Sequence, residues 1–183
     1  MAVLPTPRSL RVALRVALPA DAPLLYRWRG EPSVRLHQPL AEATVADLRA
    51  DLLRQRAEEL YRGRGDRFQW IVLVEGDAAG WITLAVASWE HGIAEVGYAL
   101  SSPFQRRGVM PLALAHLVDE LFLRTPVERL EARCAVSNEG SQKVLARVGF
   151  RREGLLRGYF QLGEGRVDNW LYAMLRADHL GER

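Results

Sequence analysis

The sequence has very little cysteine and lysine, and it lacks any long apolar run. Cys134 is the only cysteine among 183 residues, so no disulfide can form within the chain. It lies in an alternating apolar stretch and is expected to pack as a small buried hydrophobe. No apolar run approaches the roughly 20 residues needed to cross a bilayer, and residues 1–15 lack the continuous apolar segment of a signal peptide. We therefore expect a cytoplasmic protein with no membrane partner.

The basic residues are almost all arginine. Lys143 is the only lysine among 25 basic residues, which leaves 24 arginines, although the net charge is only +3. Arginine suits bidentate contact with phosphate or carboxylate, but codon bias or a thermostable surface explains the same bias more simply. No basic run is interleaved with aromatics, which disfavours nucleic-acid binding. The four histidines are scattered without metal-ligand spacing, so we expect no metal.

Length and pattern indicate one domain over residues 1–183, since no repeat or long linker divides the chain. Seven runs of β-prone or alternating residues predict a mixed, mostly antiparallel sheet with about four helices, an α/β (α+β) fold. A helix between the fourth and fifth runs makes them parallel neighbours in a βαβ unit. The predicted strands span residues 9–18, 68–75, 80–90, 93–100, 129–136, 153–162 and 166–175.

The segments between these strands contain sequence patterns typical of helices. Asp21 is a candidate N-cap for a short helix that ends at Gly30. Thr44, with Asp47 three residues on, predicts a longer helix that stops near Gly63. Another short helix is predicted from Asn138 to Val148, stopped by Gly149. A fourth helix is indicated by apolar residues on one face: Leu114, Leu117, Val118, Leu121 and Phe122.

The stretch FQRRGVMPLALAHL, residues 104–117, turns from a basic loop into that fourth helix. The first N–H groups of a helix lack internal partners, and the helix dipole adds partial positive charge there. Gly108 lets the backbone approach a ligand, and Arg106 and Arg107 add formal charge. The combination suits phosphate or pyrophosphate, but a basic surface turn that binds nothing would look the same. The loop has neither a Walker ending nor the three glycines of a dinucleotide fingerprint.

Two blocks resemble the GNAT N-acetyltransferases, in the branch typified by the RimJ and RimL ribosomal-protein acetyltransferases. EVGYALSSPFQRRGVMPLAL is similar to the family's acetyl-coenzyme A loop, and VSNEGSQKVLARVGFRREGLLRGYF to the block that follows the next strand. The final DNWLYAML resembles the last strand of that branch. The resemblance implies the GNAT fold, with the sheet splayed between strands 4 and 5. Pro111-Leu112-Ala113 departs from the Thr-Glu-Ala that is frequent in the branch.

The resemblance also implies acetyl-coenzyme A as co-substrate and an acceptor with a primary amine. Backbone amides of the loop would hold the pyrophosphate, and the pantetheine arm would lie between the two splayed strands. An N–H near Leu100 would polarise the thioester carbonyl. The implied binding residues are Tyr98, Ala99, Leu100, Gln105, Arg106, Arg107, Gly108, Val109, Met110, Asn138 and Ser141.

Three residues match catalytic positions of the family. Glu95 matches the strand glutamate that acts as base, and its apolar strand predicts a buried carboxylate; an exposed or ion-paired residue is the alternative. Ser141 matches a serine near the sulfur that could protonate the leaving thiolate, although a helix first-turn hydroxyl is the simpler interpretation. Tyr98 is a weaker candidate proton donor, since a strand aromatic is more often core.

The acceptor is the least determined feature of the sequence. By position, Trp28, His37 and Tyr159 are expected to line its pocket. A protein N-terminus, a free amino acid, a polyamine and an aminoglycoside all remain open, and a homodimer is one option for assembly. A coenzyme A-binding module without catalysis and an RNA- or ribosome-binding protein are the alternatives from other classes.

Overall fold

The computed structural model describes residues 10–181, and over this range it contains one seven-stranded sheet. The spatial order is β1-β2-β3-β4-β5-β7-β6, with every neighbouring pair antiparallel except β4 and β5. This confirms the predicted mixed sheet and its parallel pair. The first predicted strand began at Ser9, which lies outside the described residues. The strands are β1 (Val12–Val16), β2 (Arg67–Val74), β3 (Asp77–Ser88), β4 (Ile93–Leu100), β5 (Arg129–Ala135), β6 (Arg151–Leu162) and β7 (Gly165–Leu175).

The parallel strands β4 and β5 separate along their length. They pair at only three positions, the last of which is Glu95 with Glu131. Beyond it, β4 remains paired with β3 as far as Leu100, and β5 remains paired with β7 as far as Ala135. Each half of the sheet is therefore intact while a gap opens between the halves, as expected for strands 4 and 5.

Seven helices occur between residues 10 and 181, and four of them have eight or more residues. Thr44 caps α3 as predicted, because its hydroxyl accepts from the amide of Asp47 while the Asp47 carboxylate bonds back. The helices are α1 (Ala22–Arg29), α2 (Pro32–Arg35), α3 (Val45–Arg54), α4 (Ala57–Tyr61), α5 (Val109–Arg124), α6 (Glu139–Val148) and α7 (Arg176–Leu180).

The single helix predicted from Thr44 to Gly63 is wrong, because the chain is extended at Gln55 and divides it into α3 and α4. The reason is a side chain that competes with the helix. The Gln55 carboxamide accepts from the Gln69 amide at 2.7 Å and donates to the Gln69 carbonyl at 3.1 Å. This pair of bonds ties the break between the helices to β2.

The hairpin between β2 and β3 also differs from the predicted strand bounds, which left residues 76–79 between the two strands. The turn is formed by Glu75 and Gly76, both with positive φ (52° and 94°), and β3 already begins at Asp77. Two successive positive φ angles are typical of the tight hairpin turn whose twist matches that of the strands.

Helices cover both faces of the sheet and create two apolar clusters. On one face α5 buries Leu114, Leu117, Val118, Leu121 and Phe122, which confirms the predicted apolar side of that helix. On the other face α1 and α3 pack against β2 and β3, with Trp28 stacked on Trp81. No helix between residues 10 and 181 is both long and apolar enough to span a bilayer.

Gly80 fixes how closely β3 can approach the end of β4. A Cβ atom at this position would lie 2.2 Å from the Ala99 carbonyl oxygen and 2.8 Å from Leu100 Cα. Because the neighbour is backbone, we expect Gly80→Ala to lower the free energy of unfolding by about 3 kcal/mol, measured by chemical denaturation. Gly154→Ala in β6 is the matched control, since nothing lies within 4 Å of its Cβ. Equal effects of the two substitutions would contradict this account of Gly80.

Candidate active site

A cavity of about 660 Å³ lies over the gap between β4 and β5. Several residues predicted from the sequence line it together, although they come from distant parts of the chain. They are His37, Glu95, Tyr98, Asn138, Ser141 and Tyr159. The strand separation brings groups from both faces of the sheet into one space, so the cavity is the candidate active site.

Glu95 lies on the sheet face that carries α1 and α3. Its side chain is 36 % exposed rather than buried, and its Oε2 accepts from Arg133 Nη1. The expectation of an apolar, enclosed carboxylate is therefore wrong, and the ion-paired alternative is correct. Arg133 also bonds Glu131 through Nη2 at 3.1 Å, so one guanidinium spans the point where the strands separate.

Tyr98 and Ser141 meet on the opposite face of the sheet. The Tyr98 hydroxyl lies 2.8 Å from Ser141 Oγ, close to the buried thiol of Cys134. Burial raises the pKa of Tyr98 well above its usual range. Burial also raises the pKa of the Cys134 thiol to about 11, while its hydrogen bond with Ser141 acts in the other direction. All three groups therefore keep their protons at neutral pH and can act as hydrogen-bond donors.

The loop before α5 presents free amides. Arg106 and Gly108 both adopt positive φ (58° and 73°), and Gly108 is the N-cap of α5. Among the described residues, no acceptor is found for the amides of Arg106, Arg107, Gly108, Val109 and Met110. Free donors at the start of a 16-residue helix are the groups that an anion would contact.

The predicted glutamine and asparagine ligands have structural contacts of their own. Gln105 Nε2 donates to the Leu100 carbonyl at 2.8 Å and to Ser33 Oγ at 3.1 Å, which fastens the loop to β4 and α2. Asn138 Oδ1 accepts from the Ser141 amide at 3.0 Å and caps α6. The amide nitrogen of Asn138 has no partner among residues 10–181 and is left for a ligand.

The edge of β4 that faces the gap is partly covered by side chains. Gln38 Nε2 donates to the Tyr98 carbonyl at 2.8 Å, as Gln105 does to that of Leu100. A strand residue directs its N–H and C=O to the same side. The Leu100 amide therefore also faces the gap, where the sequence placed a donor for a thioester carbonyl.

The prediction that Trp28 lines the pocket is wrong. Its side chain is 2 % exposed and stacks on Trp81 with ring centroids 6.2 Å apart, so Trp81 separates it from the cavity. His37 and Tyr159 do line the cavity. His37 Nδ1 lies 3.3 Å from Ser137 Oγ, and the Tyr159 ring lies 5.4 Å from the Arg133 guanidinium carbon.

Sequence reasoning missed several residues of the site, including Gln38, Thr83, Arg133 and Asn169. Arg133 alternates with buried residues on β5, and Asn169 is itself buried on β7, so both resemble ordinary strand positions. Their place beside Glu95 follows from the sheet order and not from any local motif. In the part of the chain that the structure describes, no three His, Cys, Asp or Glu side chains are grouped as metal ligands.

Comparison with known proteins agrees with this geometry. Residues 11–151 match the family model of the acetyltransferase (GNAT) domain. The mixed sheet with its split between two parallel strands, together with this match, places the chain among the acyltransferases. The chain belongs to the GNAT acetyltransferase family.

Several known proteins resemble the chain in sequence or in fold. An uncharacterized N-acetyltransferase p20 of Bacillus licheniformis is 26 % identical over 171 residues, covering 93 % of this chain and 96 % of that protein. RimJ of Mycobacterium smegmatis, in complex with CoA-disulfide, superposes with a TM-score of 0.78 at 26 % identity, covering 94 % and 92 % of the two chains. RimL, a ribosomal L7/L12 alpha-N-protein acetyltransferase in complex with coenzyme A, has a TM-score of 0.77 at 22 % identity, with 90 % and 93 % covered.

The raised pKa of Cys134 predicts that its thiol reacts slowly. Because the thiolate is the reactive form and burial favours the thiol, alkylation by iodoacetamide at pH 8 should be slow in the folded protein. A pKa of about 11 implies a thiolate fraction on the order of a hundredfold below that of an ordinary cysteine. Mass spectrometry of the folded chain, with the urea-unfolded chain as control, measures this ratio. Equal rates in the two states would contradict it.

Proposed function

We propose that this protein transfers the acetyl group of acetyl-coenzyme A directly to a primary amine. The observation that carries the proposal is the gap between β4 and β5, with Glu95 on one face and the Tyr98–Ser141 pair on the other. A base and a proton donor on opposite sides of a strand separation suit this reaction, in which the amine loses a proton and the leaving thiolate gains one.

The cofactor assignment rests on the loop and the gap together. The free amides of residues 106–110 would bind the pyrophosphate, assisted by Arg106 and Arg107. The free edges of β4 and β5 would hold the pantetheine arm as an added strand, after the Gln38 side chain leaves the Tyr98 carbonyl. The similar RimJ structure is a complex with CoA-disulfide, which supports the same ligand here.

Each candidate catalytic residue then has a distinct role. Bound acetyl-coenzyme A would supply the activated acetyl thioester. Glu95, through Oε1, would accept a proton from the acceptor amine, directly or through water. The Leu100 amide would stabilise negative charge on the carbonyl oxygen. Ser141 would donate its hydroxyl proton as the carbon–sulfur bond breaks, and Tyr98, 2.8 Å away, would support that donor.

The acceptor enters from the side of α1 and α3. His37 and Tyr159 stand at the cavity wall there, and the lining carries charges of both signs, including Glu42, Asp47 and Arg67. This mixture suits a polar acceptor of either kind, a protein N-terminal amine or a small-molecule amine.

We further propose that residues 1–183 form one domain, since β7, beyond the matched segment, inserts between β5 and β6 and completes the sheet.

Backbone rather than arginine side chains should dominate pyrophosphate binding. A Cβ at Gly108 meets no atom within 4 Å, so Gly108→Val acts through its left-handed φ of 73°. Distorting this turn costs about 1–2 kcal/mol, and we expect acetyl-coenzyme A affinity to fall roughly tenfold by calorimetry.

Arg106→Gly is the matched variant. It removes a charge but favours the positive φ of 58° that Arg106 already adopts. We expect affinity to stay within about threefold, a difference below 1 kcal/mol. A larger loss for Arg106→Gly than for Gly108→Val would mean that the side chain, not the backbone, binds the ligand.

Acetyl transfer is tested by following thiol release from acetyl-coenzyme A across a library of amines and N-terminal peptides. With an acceptor found, Glu95→Gln should lower kcat by about 10²–10⁴-fold at neutral pH. This loss in kcat should become smaller at high pH, because the acceptor amine is then already deprotonated. Glu153→Gln is the control, because Glu153 pairs with Arg129 in the same ion-pair network but does not line the cavity. Equal losses for both variants would remove Glu95 from the role of base.

Binding alone separates this proposal from a coenzyme A-binding module without catalysis. Acetyl-coenzyme A at 100 times its Kd should stabilise the protein by about 2.7 kcal/mol, a melting-temperature rise of roughly 5–10 °C. A thermal shift without turnover on any amine would favour the binding module. No shift at millimolar ligand would overturn the cofactor assignment.

A further inference from the structure

Asn169 has a buried side chain with an unused polar atom at the wall of the active-site cavity. The residue is 1 % exposed, yet its Oδ1 has no hydrogen-bond partner among residues 10–181, and the side chain lines the cavity. Turning the carboxamide by 180° exchanges oxygen and nitrogen but still leaves a polar atom without a partner. Buried polar groups normally have a hydrogen-bond partner, so an unpaired one beside an active site indicates a partner supplied by a ligand.

The sheet explains why no neighbour satisfies Asn169. Its cross-strand partners are Ala135 on β5 and Leu156 on β6, which have no polar side-chain atoms. Next to this position the register of β6 and β7 shifts between Leu156 and Phe160, which forms a bulge. Bulges beside active sites re-aim side chains, and this one places Tyr159 at the cavity wall.

Arg133 supplies a matching donor on the same face of the sheet. Arg133 pairs with Leu171, two residues after Asn169, so the two side chains are diagonal neighbours. The terminal nitrogens of Arg133 bond Glu95 and Glu131, and the Tyr159 ring packs on its guanidinium. Its Nε is buried without a partner. The head group is therefore held in place, and its buried Nε–H is left without an acceptor.

We propose that Asn169 Oδ1 and Arg133 Nε form an acceptor-binding pair at the floor of the cavity, which recognises an amide group next to the reactive amine. The proposal rests on the proposed acetyl transfer. An amide offers one carbonyl for Arg133 and one N–H for Asn169, whereas a bare alkylamine offers only its amine. Held by this pair, the acceptor lies beside Glu95, because Arg133 contacts that carboxylate directly.

Asn169→Leu separates a binding role from a structural one. Leucine has a similar size and removes an unsatisfied polar group, so the melting temperature should stay the same or rise. For the best peptide acceptor of the library, KM should increase roughly three- to tenfold, the loss expected for one hydrogen bond, while the thermal shift with acetyl-coenzyme A stays unchanged. Leu171→Met, on the same strand and face but outside the cavity lining, should leave KM unaltered. A lower melting temperature with unchanged KM would mean that Asn169 is structural or bonds only an internal water.

A titration of the wild-type protein tests the pair without turnover or substitution. Coenzyme A-saturated, ¹⁵N-labelled protein is titrated with alaninamide and, separately, with 3-methylbutan-2-amine, which has the same shape but no amide. We expect alaninamide alone to shift the Arg133 Nε–H and Asn169 side-chain resonances in a saturable way. Equal shifts with both amines, or none with either, would overturn the proposed pair. Failure of coenzyme A itself to bind would instead overturn the proposed function.

Discussion

The separation of β4 from β5 after Glu95 and Glu131 is the constraint on which the rest of the site depends. Up to that pair the two strands exchange backbone hydrogen bonds, and beyond it each strand remains paired only with its outer neighbour. Unpaired strand edges are costly unless another group satisfies them. Here Gln38 and Gln105 bond two of the exposed carbonyls of β4. The gap is thus stable in the free protein and still open to a ligand with its own amides.

The predictable part of this structure comes from local physics. The apolar spacing of α5, the Thr44 capping box and the βαβ order are set by residues close in sequence, and all three are confirmed. The split between β4 and β5 came from the family resemblance, since nothing in the two strand sequences distinguishes paired from separated residues. The division of the helix at Gln55 was missed because its cause, Gln69, lies on another element.

The candidate site also divides into residues that the local sequence predicts and residues that it does not. The loop and the β4 and α6 residues were predicted because they belong to continuous motifs. Of these, the β4 and α6 residues Glu95, Tyr98, Asn138 and Ser141 line the cavity, and residues 105–110 do not. Trp28 was misplaced because aromatic character does not tell a pocket wall from the layer behind it, which here is decided by stacking on Trp81. Arg133 and Asn169 have no local signal at all. Their position depends on which strands are neighbours, and that is a property of the whole sheet.

The ion pairs around the split also bear on how an amine would be received. Glu95, Arg133, Glu131, Arg129 and Glu153 form a chain of alternating charge that contains one more carboxylate than guanidinium. The chain of charges ends at the cavity with Glu95, whose side chain is partly exposed. A primary amine arrives at neutral pH as an ammonium ion, which is attracted to that end but cannot attack until it loses a proton. One carboxylate would therefore serve both steps, first as the counter-charge that draws the ammonium in and then as the base that frees its lone pair.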